Sequence, residues 1–306
     1  MLAGMTPADC PDIDPATLDR SALHLPGDAH KGSRGAVGIL GGAAGMLGAA
    51  WLAGRAALHA GAGRVYVGQI DPAAPAVDPL YPELMLRRGE ALFADDLPLT
   101  ALVAGPGMGA APPAADLLVQ AMAAPVPLLI DADALNLIAA RADLRQRLLQ
   151  RAKGGVATVI TPHPAEAARL LSTTVDAVQA DRPAAARALV ERFQCIAVLK
   201  GAGTLVAWPV SASPVGSVSR SGTGLGTALV RNPTGSNRLA TAGTGDVLSG
   251  LIGALLARGL DASTAAQLGV WVHGRAGEQL PDERPTASAL LPLIGEVLPG
   301  LALFAN

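Results

Sequence analysis

Short apolar runs that each stop at a glycine-rich or polar turn recur along this chain: Ala36–Leu40, Ala101–Ala104, Leu128–Ile130, Thr158–Ile160 and Ile196–Leu199. Continuous apolar runs of this length, alternating with helical stretches, mark strands buried on both faces of a mostly parallel sheet. The turns after them are Gly41-Gly42, Gly105-Pro106-Gly107-Met108-Gly109, Asp131-Ala132-Asp133, Thr161-Pro162-His163-Pro164 and Lys200-Gly201-Ala202-Gly203-Thr204. In a doubly wound sheet the carboxyl ends of the strands share one crevice, so these turns are expected to converge there. The first unit also shows its crossover helix, Met46–Ala60, rich in small residues, before the strand Arg64–Val67.

The segment Asn237–Gly259, NRLATAGTGDVLSGLIGALLARG, adds an anion site. Leu248, Leu251, Ile252 and Leu255 repeat at helical spacing, so the glycine-rich turn Gly243-Thr244-Gly245-Asp246 runs straight into a half-apolar helix. Unpaired N–H groups in the first turn and the positive end of the helix dipole favour an anion. Asp246 stands where it can take a proton beside that anion, and the dipole is expected to keep it ionised at neutral pH. The alternative is that Asp246 only caps a buried helix.

A chain of 306 residues with 50% hydrophobic and 3% aromatic content has ample core, packed from small aliphatic side chains. The expected organisation is an arm over 1–26 and a single domain over 27–306, with 209–227 a surface excursion of a hairpin between Leu205–Ala207 and Leu229-Val230. A net charge of −2 gives no support for a nucleic-acid or membrane-surface partner. Cys10 and Cys195 are the only cysteines, which excludes a disulfide framework or a cysteine-based zinc site. The N-terminus lacks the basic region and apolar core of a signal peptide, and the expectation is a soluble, cytoplasmic protein.

Gly105–Ala110 formally fits the dinucleotide fingerprint, but it does not follow the first strand, and Pro106 is out of place there. No P-loop motif occurs. His163, held between two prolines at a strand end, is read as a ligand contact. Lys200 either places its charge on a phosphate or closes a hairpin as a surface lysine. Asp131 and Asp133 hold Mg²⁺ through water or cap the next helix, and capping is preferred for Asp133. His24, His59 and His273 are not spaced as a metal site.

Taken in order, these motifs resemble the ADP-dependent NAD(P)H-hydrate dehydratase family, a branch of the ribokinase-like fold. The carriers are HKGSRGAVGILGG (30–42), GMLGAAWLAGRAALHAGAGRV (45–65), AGPGMG (104–109), DADALNL (131–137), ITPHPAEAARLL (160–171), VLKGAGT (198–204) and the 237–259 segment. The resemblance implies a three-layer α/β/α fold with a mostly parallel central sheet. It implies dehydration of the S epimer of NADHX or NADPHX by phosphorylation of the ring hydroxyl and elimination of phosphate. ADP or ATP would be the phosphate donor, with Mg²⁺ on the phosphates through ligands the resemblance does not name. Asp246 would be the base and also touch the substrate, and the Gly243, Thr244 and Gly245 amides would stabilise the moving phosphoryl group. Ala49 or Ala50, Gly107 or Gly109, and His163 would contact the hydrate. Lys200, Gly201, Ala202, Gly203, Thr204 and Gly245 would contact the AMP portion of the nucleotide. Many relatives carry an N-terminal epimerase domain. Only a short arm stands there in this sequence, so a separate epimerase is the expected functional partner, and relatives form homo-oligomers, often tetramers. The rivals are a small-alcohol kinase of the same fold, acting on a hydroxymethylpyrimidine or hydroxyethylthiazole, and a non-catalytic nucleotide sensor.

Overall fold

A computed structural model describes residues 10–24, 27, 32–211, 225–283 and 285–302. The first nine residues of the arm and the centre of the 209–227 excursion lie outside the described residues. In chain order the regular elements are β1 (Ala36–Gly41), α1 (Leu47–His59), β2 (Arg64–Gln69), β3 (Met85–Arg88), β4 (Ala101–Ala104), α2 (Pro112–Ala123), β5 (Leu128–Ile130), α3 (Ala132–Ala140) and α4 (Ala142–Lys153). They continue with β6 (Thr158–Ile160), α5 (Pro164–Leu171), α6 (Val175–Ala180), α7 (Arg182–Phe193), β7 (Ile196–Leu199), β8 (Leu205–Ser211), β9 (Leu225–Arg231), α8 (Thr244–Ala257), α9 (Ala262–Glu278) and α10 (Leu290–Ala302).

All the strands form one sheet, ordered β3-β2-β1-β4-β5-β6-β7-β8-β9. The pairs from β3 to β7 are parallel, and β8 and β9 close the far edge antiparallel. The continuous apolar runs have a simple cause. Successive strand residues point to opposite faces, and both faces are covered. Val37, Ile39, Val103 and Leu129 pack with α1, α8, α9 and α10. Leu40, Leu102, Ala104, Leu128 and Ile130 pack with the helices from α2 to α7. This is the expected three-layer α/β/α architecture.

Helix α8 lies against both α1 and the sheet because its glycines allow it. A Cβ on Gly250 would stand 1.9 Å from the Ala53 carbonyl oxygen. The apolar side of α1 is therefore spent internally: Ala50, Ala53, Ala56 and Ala57 are fully buried. The hairpin pairs as read, with Val206 opposite Val230 and Ala207 opposite Leu229, but the ladder runs on to Ser211 opposite Leu225. The excursion is thus shorter than 209–227 at both ends. The sequence reading names no strand between β2 and β4. The edge strand β3 has only two apolar residues before Arg87 and Arg88, too few to register as a run. The described part of the arm docks on the sheet: Ile13 and Leu23 are buried, and Asp12 bridges Arg231 at the outer edge of β9.

Candidate active site

The strand order reverses between β1 and β4, and the loops after these two strands are bound together. Gly42 N–H donates to Pro106 O at 3.0 Å and Ala43 N–H to Gly107 O at 2.7 Å. The chain passes close to the start of α1, since a Cβ on Gly107 would stand 2.5 Å from Met46 O and 3.0 Å from the Ala49 Cβ. Of the residues expected to touch the hydrate here, Ala50 and Gly107 are buried, and Ala49 and Gly109 reach the surface. Ala50 lies wholly beneath Gly41 and Gly42, so within that pair it is Ala49 that faces the crevice.

The α8 N-terminus meets this switch point from below. Gly243 is the N-cap, in left-handed geometry with φ 88°, and no side chain caps the helix. Asp246 is the third helical residue, so the reading of Asp246 as a mere cap fails. Its carboxylate instead faces Asp131, Lys200, Asp133 and Glu166. Burial is the largest influence on it, the charge of Asp131 adds to that, and Lys200 offsets only part, so its pKa is pushed up to about 7. This corrects the expectation that the helix dipole alone keeps it ionised at neutral pH: desolvation outweighs the dipole.

Lys200 is the cation of the cluster. Its Nζ lies 2.6 Å from Asp131 Oδ1 and 4.0 Å from Glu166 Oε2. A Cβ added to Gly245 would stand 3.4 Å from the same nitrogen. Burial works against the ammonium, but Asp131 and Glu166 outweigh it and hold its pKa above the usual lysine value. Of its two readings, the free surface lysine is excluded. The reach is set by topology: β5 and β7 flank β6, so their ends stand about 10 Å apart, a gap a lysine spans. The other oxygen of Asp131 accepts from the fully buried Ser249 hydroxyl at 2.7 Å. With both oxygens taken, Asp131 makes no side-chain cap on α3. Asp133 does not cap α3 either; it accepts from the Gly109 N–H at 2.8 Å and so ties the two crevice loops together.

His163 is the N-cap of α5, its Nδ1 accepting from the N–H groups of Ala165 and Glu166 at 3.1 and 3.3 Å. Glu166 answers by accepting from the His163 N–H at 2.8 Å, a reciprocal capping box with histidine in the capping place. Burial, with Lys200 nearby, lowers the His163 pKa, so the ring is neutral. Burial, with Asp131 adding, raises that of Glu166.

On the other side of the α8 N-terminus opens a cleft of about 850 Å³ lined by Lys200–Thr204, Arg231–Asn237, Thr244, Gly245, His273 and Gly274. Every residue expected at the AMP portion lies on this wall. Gly243 stands at its edge outside the lining, while the Thr244 hydroxyl turns inward, 2.8 Å from Leu239 O and 2.9 Å from Thr241 O. His273, to which the sequence reading gives no role, is buried and donates from Nε2 to the Thr244 carbonyl at 2.9 Å. Burial pushes its pKa down to about 4, so it serves as a neutral tether for the turn.

Ser249 and Glu166 are site residues that sequence reasoning missed, and both carried a signal. Ser249 follows Asp246 by three, on the same helix face. Glu166 follows His163 by three, the spacing of a capping box. The Lys200–Asp131 pair, 69 residues apart, had none. Among the described residues no group of three or more His, Cys, Asp or Glu forms a metal cage.

Comparison with known proteins places this geometry. A ribokinase-like superfamily protein from Enterococcus faecalis V583 superposes with a TM-score of 0.68 at 23% identity, covering 94% of this chain and 95% of that one, which shows the fold. An ADP/ATP-dependent NAD(P)H-hydrate dehydratase from Bacillus subtilis, co-crystallised with ATP/Mg²⁺, gives a TM-score of 0.68 at 27% identity over 92% of this chain and 93% of that chain. The ADP-dependent (S)-NAD(P)H-hydrate dehydratase of Neisseria meningitidis serogroup B is 40% identical over 91% of this chain and 88% of its own length. The NAD(P)H-hydrate dehydratase family profile matches residues 37–299, and the chain belongs to that family. It spans about half the length of the bifunctional NAD(P)H-hydrate repair enzymes that it also matches.

Proposed function

We infer that the protein is a hydro-lyase that dehydrates the S epimer of NADHX and NADPHX back to NADH and NADPH, with ADP as the phosphate donor. The observation that carries the mechanism is Asp246: an uncapped carboxylate in the first turn of α8, beside free amides, with a pKa of about 7. A general base works best with a pKa near the operating pH. Asp246 takes the proton of the ring hydroxyl as its oxygen bonds to the terminal phosphorus and the bond to AMP breaks. The Gly243–Gly245 amides and Lys200 stabilise the charge on the transferring group. The C–O bond then breaks with phosphate taking the electron pair, which hydroxide does poorly. The ring nitrogen supports the developing positive charge, and loss of a proton from the adjacent ring carbon restores the dihydropyridine. Ala49, Gly109 and His163 border the hydrate. The Lys200–Thr204 turn and Gly245 hold the nucleotide.

Mg²⁺ fits as a companion of the phosphates rather than as a resident ion. Both oxygens of Asp131 are taken by Lys200 and Ser249, and Mg²⁺ keeps several waters when it binds phosphates. Asp246, which accepts no hydrogen bond from the described residues, is kept for the substrate proton. The ion would therefore be held by the phosphates and water and would supply charge neutralisation there. The family members with a second repair activity on the same chain support a separate NAD(P)H-hydrate epimerase as functional partner. Since ADP and the nicotinamide hydrates are metabolites of the cytoplasm, we place the activity there, with residues 27–306 acting as one catalytic unit. The homo-oligomer, a tetramer in this reading, would draw on an exposed apolar patch. Val77 and Leu80 are exposed on the connection between β2 and β3, which Asp78 pins to Arg55 at 2.7 Å. Light scattering of Leu80→Asp tests that surface.

The decisive experiment incubates the protein with S-NADHX, Mg²⁺ and ADP or ATP while following the near-ultraviolet absorbance of reduced nicotinamide. A nucleotide-dependent rise, lost in Asp246→Asn, is expected. Stoichiometric nucleotide use with a stable phosphorylated alcohol and no rise would move the protein to the small-alcohol kinases.

A further inference from the structure

The cleft beside α8 has a direction. Lys200 and Gly245 define the end where phosphate sits. The turn from Lys200 to Thr204 folds back as a hairpin, Leu199 pairing with Leu205. Leu205 pairs in turn with Arg231, so Arg231 stands two strands across the sheet from the phosphate end. Next to it the Thr204 carbonyl accepts from the Asn232 N–H at 2.8 Å. The opposite end of the cleft is therefore where β9 ends, and its charged side chains are Arg231 and Asp12, both on the lining.

Arg231 is held there in an unusual way for a half-exposed arginine. Its N–H donates to Pro11 O and its carbonyl accepts from the Ile13 N–H, both at 2.8 Å, so the N-terminal segment grips the residue on both sides. Its Nε donates to Asp12 Oδ1 at 2.7 Å, and its Cδ would lie 3.5 Å from a Cβ on Gly203. No described residue takes its two Nη groups, and the half-exposed side chain lies on the cleft lining. A surface ion pair contributes little stability by itself. Three contacts from a segment 219 residues away, converging on one arginine at the mouth of a nucleotide-sized cleft, point to a ligand. What Asp12 fixes is the plane of the guanidinium, and a fixed guanidinium plane is a stacking platform for an aromatic ring.

We propose that Arg231, oriented by Asp12, stacks on the base of the bound nucleotide and makes the cleft favour purine over pyrimidine nucleoside diphosphates. The inference rests on the reading of this cleft as the nucleotide site. It gives the N-terminal segment a part in the reaction: that segment sets the angle of the residue that grips the base. Purines gain more than pyrimidines because a two-ring face covers more of the guanidinium.

Calorimetric titration of the full chain with ADP, GDP, CDP and UDP tests this without turnover. Arg231→Ala is expected to weaken ADP and GDP binding about tenfold and CDP and UDP much less, the size of a desolvated cation–π contact. Arg231→Lys, which keeps the charge and loses the plane, should behave like the alanine variant, and Asp12→Asn should fall between it and wild type. Because Arg231 is half exposed, these variants keep the fold, and thermal melting verifies it. Unchanged ADP affinity in Arg231→Ala overturns the inference, as does an equal loss for all four nucleotides, which would make the residue a simple charge. Wild-type protein that binds no nucleoside diphosphate overturns the dehydratase reading and this inference together, whereas ADP and GDP binding that stays at the wild-type level in the Arg231 variants overturns this inference alone.

Discussion

The two sides of the α8 N-terminus are built from different materials. On one side, Asp131, Lys200, Ser249, Glu166, His163 and Asp246 form a network of charged and polar side chains, brought together from the ends of three strands, β5, β6 and β7, and from helices α5 and α8. On the other, the nucleotide cleft is walled largely by backbone: the Gly201–Thr204 turn, the segment from Asn232 to Asn237, and the first amides of α8. The first side holds a carboxylate near pH 7 by crowding charges in a poorly hydrated place. The second offers hydrogen bonds that do not titrate. Chemistry that moves a proton needs the former, and gripping a phosphate chain needs only the latter.

That contrast can be broken experimentally. Asp246→Asn is expected to lower kcat by about 10³-fold while leaving the Kd for ADP close to wild type, read by absorbance assay and calorimetry. Equal losses in both would mean the two sides are not separable. Lys200→Met touches both. It should cost about 3 kcal/mol in denaturant unfolding, since Asp131 and Glu166 are left facing each other without a cation. It should also weaken ADP binding.

The titration of Asp246 gives a subtler signature. Its folded pKa of about 7 lies above the ordinary carboxylate value, so between about pH 4 and pH 7 the folded state holds more protons than the unfolded one. Stability of the ligand-free protein from this group is therefore greatest at the acid end of that window. It is lost as pH rises, and flat above it. Thermal melting of wild type against Asp246→Asn across the window should show this slope in wild type and lose it in the variant. A wild-type slope of the opposite sign would show that the dipole, not burial, governs the carboxylate. Smallest is Gly245→Ala. The added methyl stands 3.4 Å from Lys200 Nζ and narrows the anion site, which should raise the Kd for ADP by about tenfold with kcat less affected.

Much of this protein was legible in the chain itself. The parallel sheet follows from apolar runs too continuous for a one-sided strand, and the anion turn follows from Gly243-Thr244-Gly245-Asp246 opening an apolar helix. These signals are local, because backbone dihedrals and helix ends are decided within a few residues. The spacing of three that joins His163 to Glu166 and Asp246 to Ser249 is local too and could be read the same way. The upward shift of the Asp246 pKa was not legible, and the dipole argument alone was incomplete, because burial and the approach of Asp131 depend on how β5 meets α8. Nor could the pairing of Lys200 with Asp131, the hold of Asp133 on Gly109, or the grip of Pro11–Ile13 on Arg231 be seen in advance. Each joins groups far apart in sequence through the order of strands in the sheet. The linear chain carries which turns exist; only tertiary packing decides which side chains face one another in low dielectric, and hence which proton can move.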